Sequence, residues 1–343
     1  MPISKFEISR DDSIYEAWPD VILTEKGKLI CVFSECTHHT DRSYTKIVYV
    51  ESFDRGRTWS AKKSLSKATS GLPFWNCARI SKLRDGTLAI VCDMIYEKNE
   101  HAGKSKIFIW FADSEGNEWE GPYETPIEGI VPDKLLEIDT GRWIIATHSK
   151  NMVKGLLEQH LWYSDDRGAE WHGPVSVACE EGLNLCEASV LPLDDGTLVA
   201  FMRENSFTGM DCYKSISKDN GLTWEGVYRV PIPGCHRPVA GLLKSGLIFI
   251  TYRFFQGGMR GFGKGMQNFF AAVTDEESAA AKKRNEQWAR IIPIDYDKSP
   301  HADIGYSGWV QFDDGEIYIV NYIVDNAPKA QIRGYSLREH DIY

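Results

Sequence analysis

"SFDRGRTW", residues 52–59, packs an acid, two arginines, a glycine and a tryptophan into eight positions. Taken singly it reads as a charged recognition turn. It recurs, however, as "ADSEGNEW" at 112–119, "SDDRGAEW" at 164–171 and "SKDNGLTW" at 217–224. The tryptophans fall at Trp59, Trp119, Trp171 and Trp224, and Trp288 ends a degenerate fifth copy, "NEQW". Self-similarity at a period of about 50–60 residues marks a repeat architecture.

Upstream of these turns runs a second repeat: an apolar run, a tight turn with glycine, and another apolar run. Its six copies are "VILTEKGKLICVF" (21–33), "ISKLRDGTLAIVC" (80–92), "KLLEIDTGRWIIAT" (134–147), "SVLPLDDGTLVAFM" (189–202), "VAGLLKSGLIFITY" (239–252) and "WVQFDDGEIYIVNY" (309–322). A glycine between two β-rich runs supplies the positive φ that a hairpin turn requires. Six hairpins, each followed by a third strand and most by an Asp/Gly/Trp turn, predict an all-β chain: a six-bladed β-propeller with four-stranded antiparallel blades, one domain over 1–343. The sixth blade lacks the tryptophan turn. "QIRGYSL" (331–337) supplies its third strand, and "SKFEIS" (4–9) closes the ring as its outer strand. One helical insert is expected at about 275–290, with Thr274 and Glu277 forming a capping box.

Bulk properties narrow the function classes. A formal charge of −10 argues against a general nucleic-acid binder, which needs a basic face. The start, "MPISKFEISRDD", has no apolar signal-like core, and no stretch approaches the roughly 18 apolar residues of a membrane span. The chain as written therefore reads as cytoplasmic, or as secreted or periplasmic if a signal has been removed. Eight cysteines contain no CxxC pair and sit mostly in strand-like runs, so reduced core thiols are expected. His38-His39 has no third ligand at metal spacing, and no HExxH occurs, so neither a metal nor another cofactor is expected. "GGMRGFGKGM" (257–266) lacks the phosphate-loop pattern and reads as a lid or plain loop.

The repeated turn is the Asp-box, S-x-D-x-G-x-T-W. Four near-copies in register with six hairpins resemble the sialidase (neuraminidase) superfamily over essentially the whole chain. The chemistry of the box is structural. Asp54, Asp166 and Asp219 can accept backbone N–H groups, Gly56, Gly168 and Gly221 take the left-handed position, and the tryptophan packs between sheets. Joining the third and fourth strands, the box lies on the face opposite the ligand mouth.

In a propeller the starts of the first strands and the ends of the second strands converge on that mouth. The first strands offer Asp20, Arg79, Asp133, Glu187, Arg237 and Asp303 with Tyr306; the second offer Glu35, Asp93, His148, Arg203 with Glu204, Arg253 and Asn321. Of these, Asp20, Arg79, Asp93, His148, Arg203, Glu204, Arg237, Arg253 and Asp303 are read as substrate-binding. The resemblance refines the set. "CEASVLPLDDGTLVAFMREN" looks like the segment carrying the family's glutamate and a substrate-carboxylate arginine, which are Glu187 and Arg203 here. "GYSGWVQFDDGEIYIV" looks like its last-blade element, making Tyr306 the nucleophile; "CHRPVAGLL" offers Arg237 as a further arginine, with Arg253 competing.

A tyrosine nucleophile needs a base, because a phenol ordinarily ionises near pH 10, and its anion would repel a substrate carboxylate unless arginines hold that group. A separate acid must protonate the leaving oxygen. Asp41 is the first choice, Glu35 the second, with His38 or His39 behind them. Blade one reads "EAWPDVIL", so Ala17 stands where the family places an arginine, and "CARIS" puts Arg79 one blade later. The implied activity is exo-hydrolysis of a terminal, acidic sugar from a glycan or small saccharide. The alternatives are a glycosidase using a carboxylate pair on another sugar, and a non-catalytic carbohydrate-binding propeller.

Overall fold

The fold is described from a computed structural model, which covers residues 3–98, 101, 103–257 and 265–342. It is an all-β six-bladed propeller: six sheets, each of four antiparallel strands ordered by sequence from inner to outer. Blade one is Tyr15–Leu23, Leu29–His38, Asp41–Ser52 and Lys63–Ser64. Blades two to five repeat the plan, and blade six takes its outer strand, Ser4–Ser9, from the chain's beginning. That strand pairs with Gln331–Arg338, as the sequence predicts.

Burial falls from the inner strands outward, which explains the hydropathy pattern. Leu88–Ile95 in blade two and Glu316–Ile323 in blade six are buried at every position. The outer strand Glu120–Glu124 is exposed throughout. Strands covered on both faces carry continuous apolar runs rather than alternation. Seven of the eight cysteines lie in this buried interior, and Cys179 is half-buried.

The blades gather into two compact units. One comprises Met1–Leu136 with Asp297–Tyr343 and holds blades one, two and six; the other, Glu137–Tyr296, holds blades four and five and nearly all of blade three. The first is cored by Trp18, Phe33, Tyr318 and Tyr322 in one cluster and by Trp75, Ile90 and Trp110 in another. The second is cored by Phe201, Val239, Ile250 and Tyr252.

The boxes are turns, built as their sequence implies. Asp54 accepts the N–H groups of Arg57 and Thr58 and the Thr58 hydroxyl at 2.6–3.1 Å. Those bonds hold its carboxyl down at about 2. Ser52 Oγ accepts from Gly56 N, and Trp59 Nε1 donates to Gly56 O. The Trp59 ring lies 6.2 Å from Tyr318 of blade six. In blade two, where Ser114 replaces the box aspartate, Asp113 one position earlier takes over and accepts from Asn117 N at 3.0 Å.

The insert in blade five departs from expectation. The helix spans only Glu276–Ala280, followed by a single 3-10 turn at Arg284–Glu286. Its cap is Asp275, which accepts from Ser278 N; Thr274 instead donates to Trp288 O. The helix stops because its last carbonyls have other partners. Buried Lys214 donates to Ser278 O and Ala279 O, and Trp288 folds back to bond Ser278 Oγ and Asp275.

Candidate active site

A recurring backbone defect organises the candidate site. In five inner strands two residues oppose one on the neighbouring strand: Trp18-Pro19, Asn76-Cys77, Glu187-Ala188, Arg237-Pro238 and Tyr306-Ser307. Such bulges bend the strand and re-aim a side chain. Trp18, Glu187, Arg237 and Tyr306 each have φ between 50° and 58°, and Val131 in blade three has φ 47°. Positive φ is uncommon for residues other than glycine and costs energy unless the surroundings impose it.

Neighbouring blades within a unit impose it here. Ser34 Oγ donates to Asn76 O, and Asp93 accepts from both Cys77 N and Val131 N. In the other unit, His148 Nδ1 accepts from Glu187 N at 3.5 Å, Gln159 accepts from Ala188 N, and Arg237 donates to Ala188 O. Arg79 donates to Pro19 O and Ser307 O, the second residues of two bulges.

These bonds correct part of the sequence reading. Asp20 and Arg79 are interior ties rather than rim groups: both are fully buried, 3.3 Å apart, and Asp20 also accepts from Val21 N and Ile80 N. Asp93 and His148 likewise hold backbone. Burial raises the Asp93 carboxyl above its ordinary range while three donors pull it back. Glu204 accepts from Asn184 N and Ser206 N and closes a turn. Side-chain charge is visible in a sequence, but a backbone partner on the next blade is not.

In Glu137–Tyr296, Glu187 and Arg203 form a buried pair, Arg203 Nη1 lying 2.9 Å from each carboxylate oxygen. Arg203 is also stacked 5.2 Å over Phe207. Beside them is His236, opposite Arg253 in the strand register and stacked face to face on Phe255 at 4.9 Å. Burial, reinforced by Arg203 and Arg253, pushes His236 down to about 2, so its ring is neutral. Neither ring nitrogen has a hydrogen-bond partner. Sequence reading missed His236, since a histidine in an apolar strand looks like a core residue.

The other unit places Tyr306, only 7 % exposed, in a continuous set of rings. Its ring lies 6.4 Å from Tyr322, Tyr322 lies 6.0 Å from Trp18, and Trp18 meets His39 edge-on at 5.3 Å. Asp303 anchors this set. Its carboxylate accepts from Tyr15 OH, from Tyr322 OH at 2.8 Å, and pairs with His39 Nδ1. A cleft of about 760 Å³ opens beside it, lined by Tyr15, His38, Asp303 and the loop Val324–Lys329.

Arg42, also missed, lies over this set. Its guanidinium is 4.0 Å above the Trp18 ring and 5.6 Å above Phe74, and Nη2 donates to Asn76. Its Nε and Nη1 are buried without hydrogen-bond partners, and among the described residues no carboxylate forms an ion pair with it. A cation held so can receive an anion, because an uncompensated buried charge is costly. The sequence shows Arg42 only as a loop residue next to Asp41.

The two leading acid candidates, Asp41 and Glu35, have other partners in this structure. Asp41 is exposed, accepts from Ser43 N, and those local bonds hold its carboxyl below the usual range, so it is an ionised acceptor at neutral pH. Glu35 is bound to Lys62 at 2.5 Å. Lys62 also bonds Glu16, a fully buried carboxyl raised by desolvation. The glycine-rich stretch 257–266 falls largely outside the described residues.

The fold has solved counterparts. A protein of unknown function from Dyadobacter fermentans is 20% identical, with a TM-score of 0.78 over 98% of this chain and 100% of that one. A Hadza microbial sialidase is 17% identical (TM-score 0.71), and this chain covers 66% of its length. Trypanosoma rangeli sialidase in complex with sialic acid is 14% identical (TM-score 0.67), with 59% of its length covered. Identities at this level show a shared fold, and the chain spans only about two thirds or less of these two sialidases. A match to the BNR repeat-like domain runs over residues 27–319, most of the chain. With its hairpin-and-box repeat and six four-stranded blades, the chain belongs to the BNR repeat-like domain family, on a sialidase-like fold.

Proposed function

We propose that this protein is a sialidase-like exo-glycosidase that removes a terminal acidic sugar from a glycan. The observation that carries the reading is the shared bulge: Glu187 and Tyr306 occupy the same register position of their blades, both at positive φ. In this reading the Tyr306 oxygen attacks the anomeric carbon as a base takes its proton, since the phenol is a weak nucleophile while protonated, and the resemblance of its motif gives the role of base to Glu187. Arg203 and Arg253 bind the sugar carboxylate. Arg42 supplies a cation in the unit where blade one has Ala17 in place of an arginine. Trp18, under Arg42, offers a face for sugar stacking.

One observation favours the non-catalytic alternative. Ala17 is fully buried, so no side chain at that position reaches a ligand. Nitrophenyl glycosides of sialic, uronic and neutral sugars, tested on wild type, Tyr306→Phe and Glu187→Gln, separate the two. The expected result is turnover of an acidic glycoside that falls by at least about 10³-fold in Tyr306→Phe. Turnover surviving both substitutions contradicts the assignment, and glycan binding without turnover favours the binding module.

A further inference from the structure

The reaction needs an acid for the leaving group, and the two carboxylates first considered are engaged elsewhere. Asp41 sits exposed in its own turn, and Glu35 is tied to Lys62. His39 has the opposite character. It stands in the same loop, but its Nδ1 is fixed on Asp303, whose oxygens also take the Tyr15 and Tyr322 hydroxyls. Among the described residues Nδ1 is the only His39 ring nitrogen in a hydrogen bond, which leaves Nε2 as the atom able to exchange a proton with a ligand. A carboxylate on one imidazole nitrogen sets the orientation and tautomer of the ring, so that the other nitrogen does the proton transfer. The ring is partly exposed, its side chain 38% accessible. It touches Trp18, which packs on Tyr322, and Tyr322 packs on Tyr306. The cleft beside Asp303 is lined mostly by apolar surface, with Ser299, Asn326 and His38 among its polar groups, a mixture that suits the apolar faces and hydroxyl edges of a sugar leaving group.

We propose that His39, positioned by Asp303, is the general acid–base residue, and that the cleft beside Asp303 receives the aglycone, a hydroxyl-rich sugar. The proposal rests on the glycosidase reading above. In the first half-reaction, His39 Nε2–H protonates the glycosidic oxygen as its bond to the anomeric carbon breaks. The bonding pair leaves with the alcohol, while the Tyr306 oxygen bonds to that carbon and its proton passes to the carboxylate base of the glycosidase reading. In the second, neutral His39 takes a proton from water as the water oxygen displaces Tyr306, which recovers its proton from that base. The net change is hydrolysis, with both residues restored.

The test compares two substrates of one acidic sugar: a nitrophenyl glycoside, whose leaving group needs little protonation, and a lactose-linked glycoside, whose leaving group needs it fully. For His39→Ala, kcat/KM should fall by roughly 10²–10³-fold on the lactose-linked substrate and by about tenfold or less on the nitrophenyl one. Asp303→Asn should show the same dependence in weaker form. Its His39 imidazole nitrogen NMR signals should also shift from the Nδ1–H towards the Nε2–H tautomer, and the loss should again be larger on the lactose-linked substrate than on the nitrophenyl one, a dependence that a merely structural aspartate would leave alone. His39→Gln checks that any loss is not one of folding. Equal loss on both substrates overturns the His39 assignment while leaving the glycosidase intact. A wild type inert on both overturns the glycosidase reading and this proposal with it.

Discussion

At the scale of single residues, His236 sits in an environment far from water. Its ring is enclosed, stacked on Phe255 and flanked by Arg203 and Arg253, and it stays neutral down to about pH 2. An unfolded chain protonates this histidine near its ordinary value of 6.5. Below that pH the unfolded state binds one proton more than the folded state, so stability falls as pH falls through the window from 6.5 towards 2. The slope is up to about 1.4 kcal/mol per pH unit. His236→Phe keeps the stacking and removes the proton site. Urea unfolding at pH 7, 6, 5 and 4 should show the stability difference shifting towards the variant as pH drops; a pH-independent difference contradicts the assignment. Residues of this kind were the least legible part of the chain. Glu187, Arg203 and Tyr306 stand in motifs that a sequence displays. His236, Arg42 and Glu16 could not, because what singles them out is a three-dimensional environment. Asp20, Arg79 and Asp93 were visible as charges, yet their partners are main-chain atoms of other strands.

At the scale of elements, the box and the bulge divide the work. Hairpin and box were legible because their turns need particular residues at fixed offsets. The bulge was hidden, since a two-against-one register is a property of pairing, and no residue type marks it: Trp18, Asn76, Glu187, Arg237 and Tyr306 share nothing in side-chain chemistry. The short helix was overestimated for a related reason, because Lys214 and Trp288 end it from outside its own sequence. The structural role of the box is open to a direct check. Gly56 has φ 80°, and a Cβ there would lie 2.2 Å from the Tyr318 ring, whose hydroxyl donates to Gly56 O. Gly56→Ala should cost roughly 3 kcal/mol in urea unfolding, from backbone strain and overpacking together. The folded fraction should keep its kcat/KM. A specific loss of activity without loss of stability would mean that the box belongs to the site.

At the scale of the whole molecule, six copies of one pattern build the scaffold, and function rests on the few positions where the copies differ. The chain's beginning completes blade six: Ser4–Ser9 pairs with Gln331–Arg338, Ile8 is buried, and Phe6 stacks on Tyr318 at 6.1 Å. That closure was readable because the sixth hairpin had a third strand and no fourth. The central claim, that this scaffold carries a tyrosine-nucleophile glycosidase for an acidic sugar, meets its most direct test in covalent trapping. A 2,3-difluorinated N-acetylneuraminic acid loses its C2 fluoride to a nucleophile, and its C3 fluorine slows release of the resulting glycosyl-enzyme. Mass spectrometry of the treated protein should find one sugar attached per chain, located on the peptide containing Tyr306 and missing from Tyr306→Phe. No adduct, or an adduct on a carboxylate, would contradict the account.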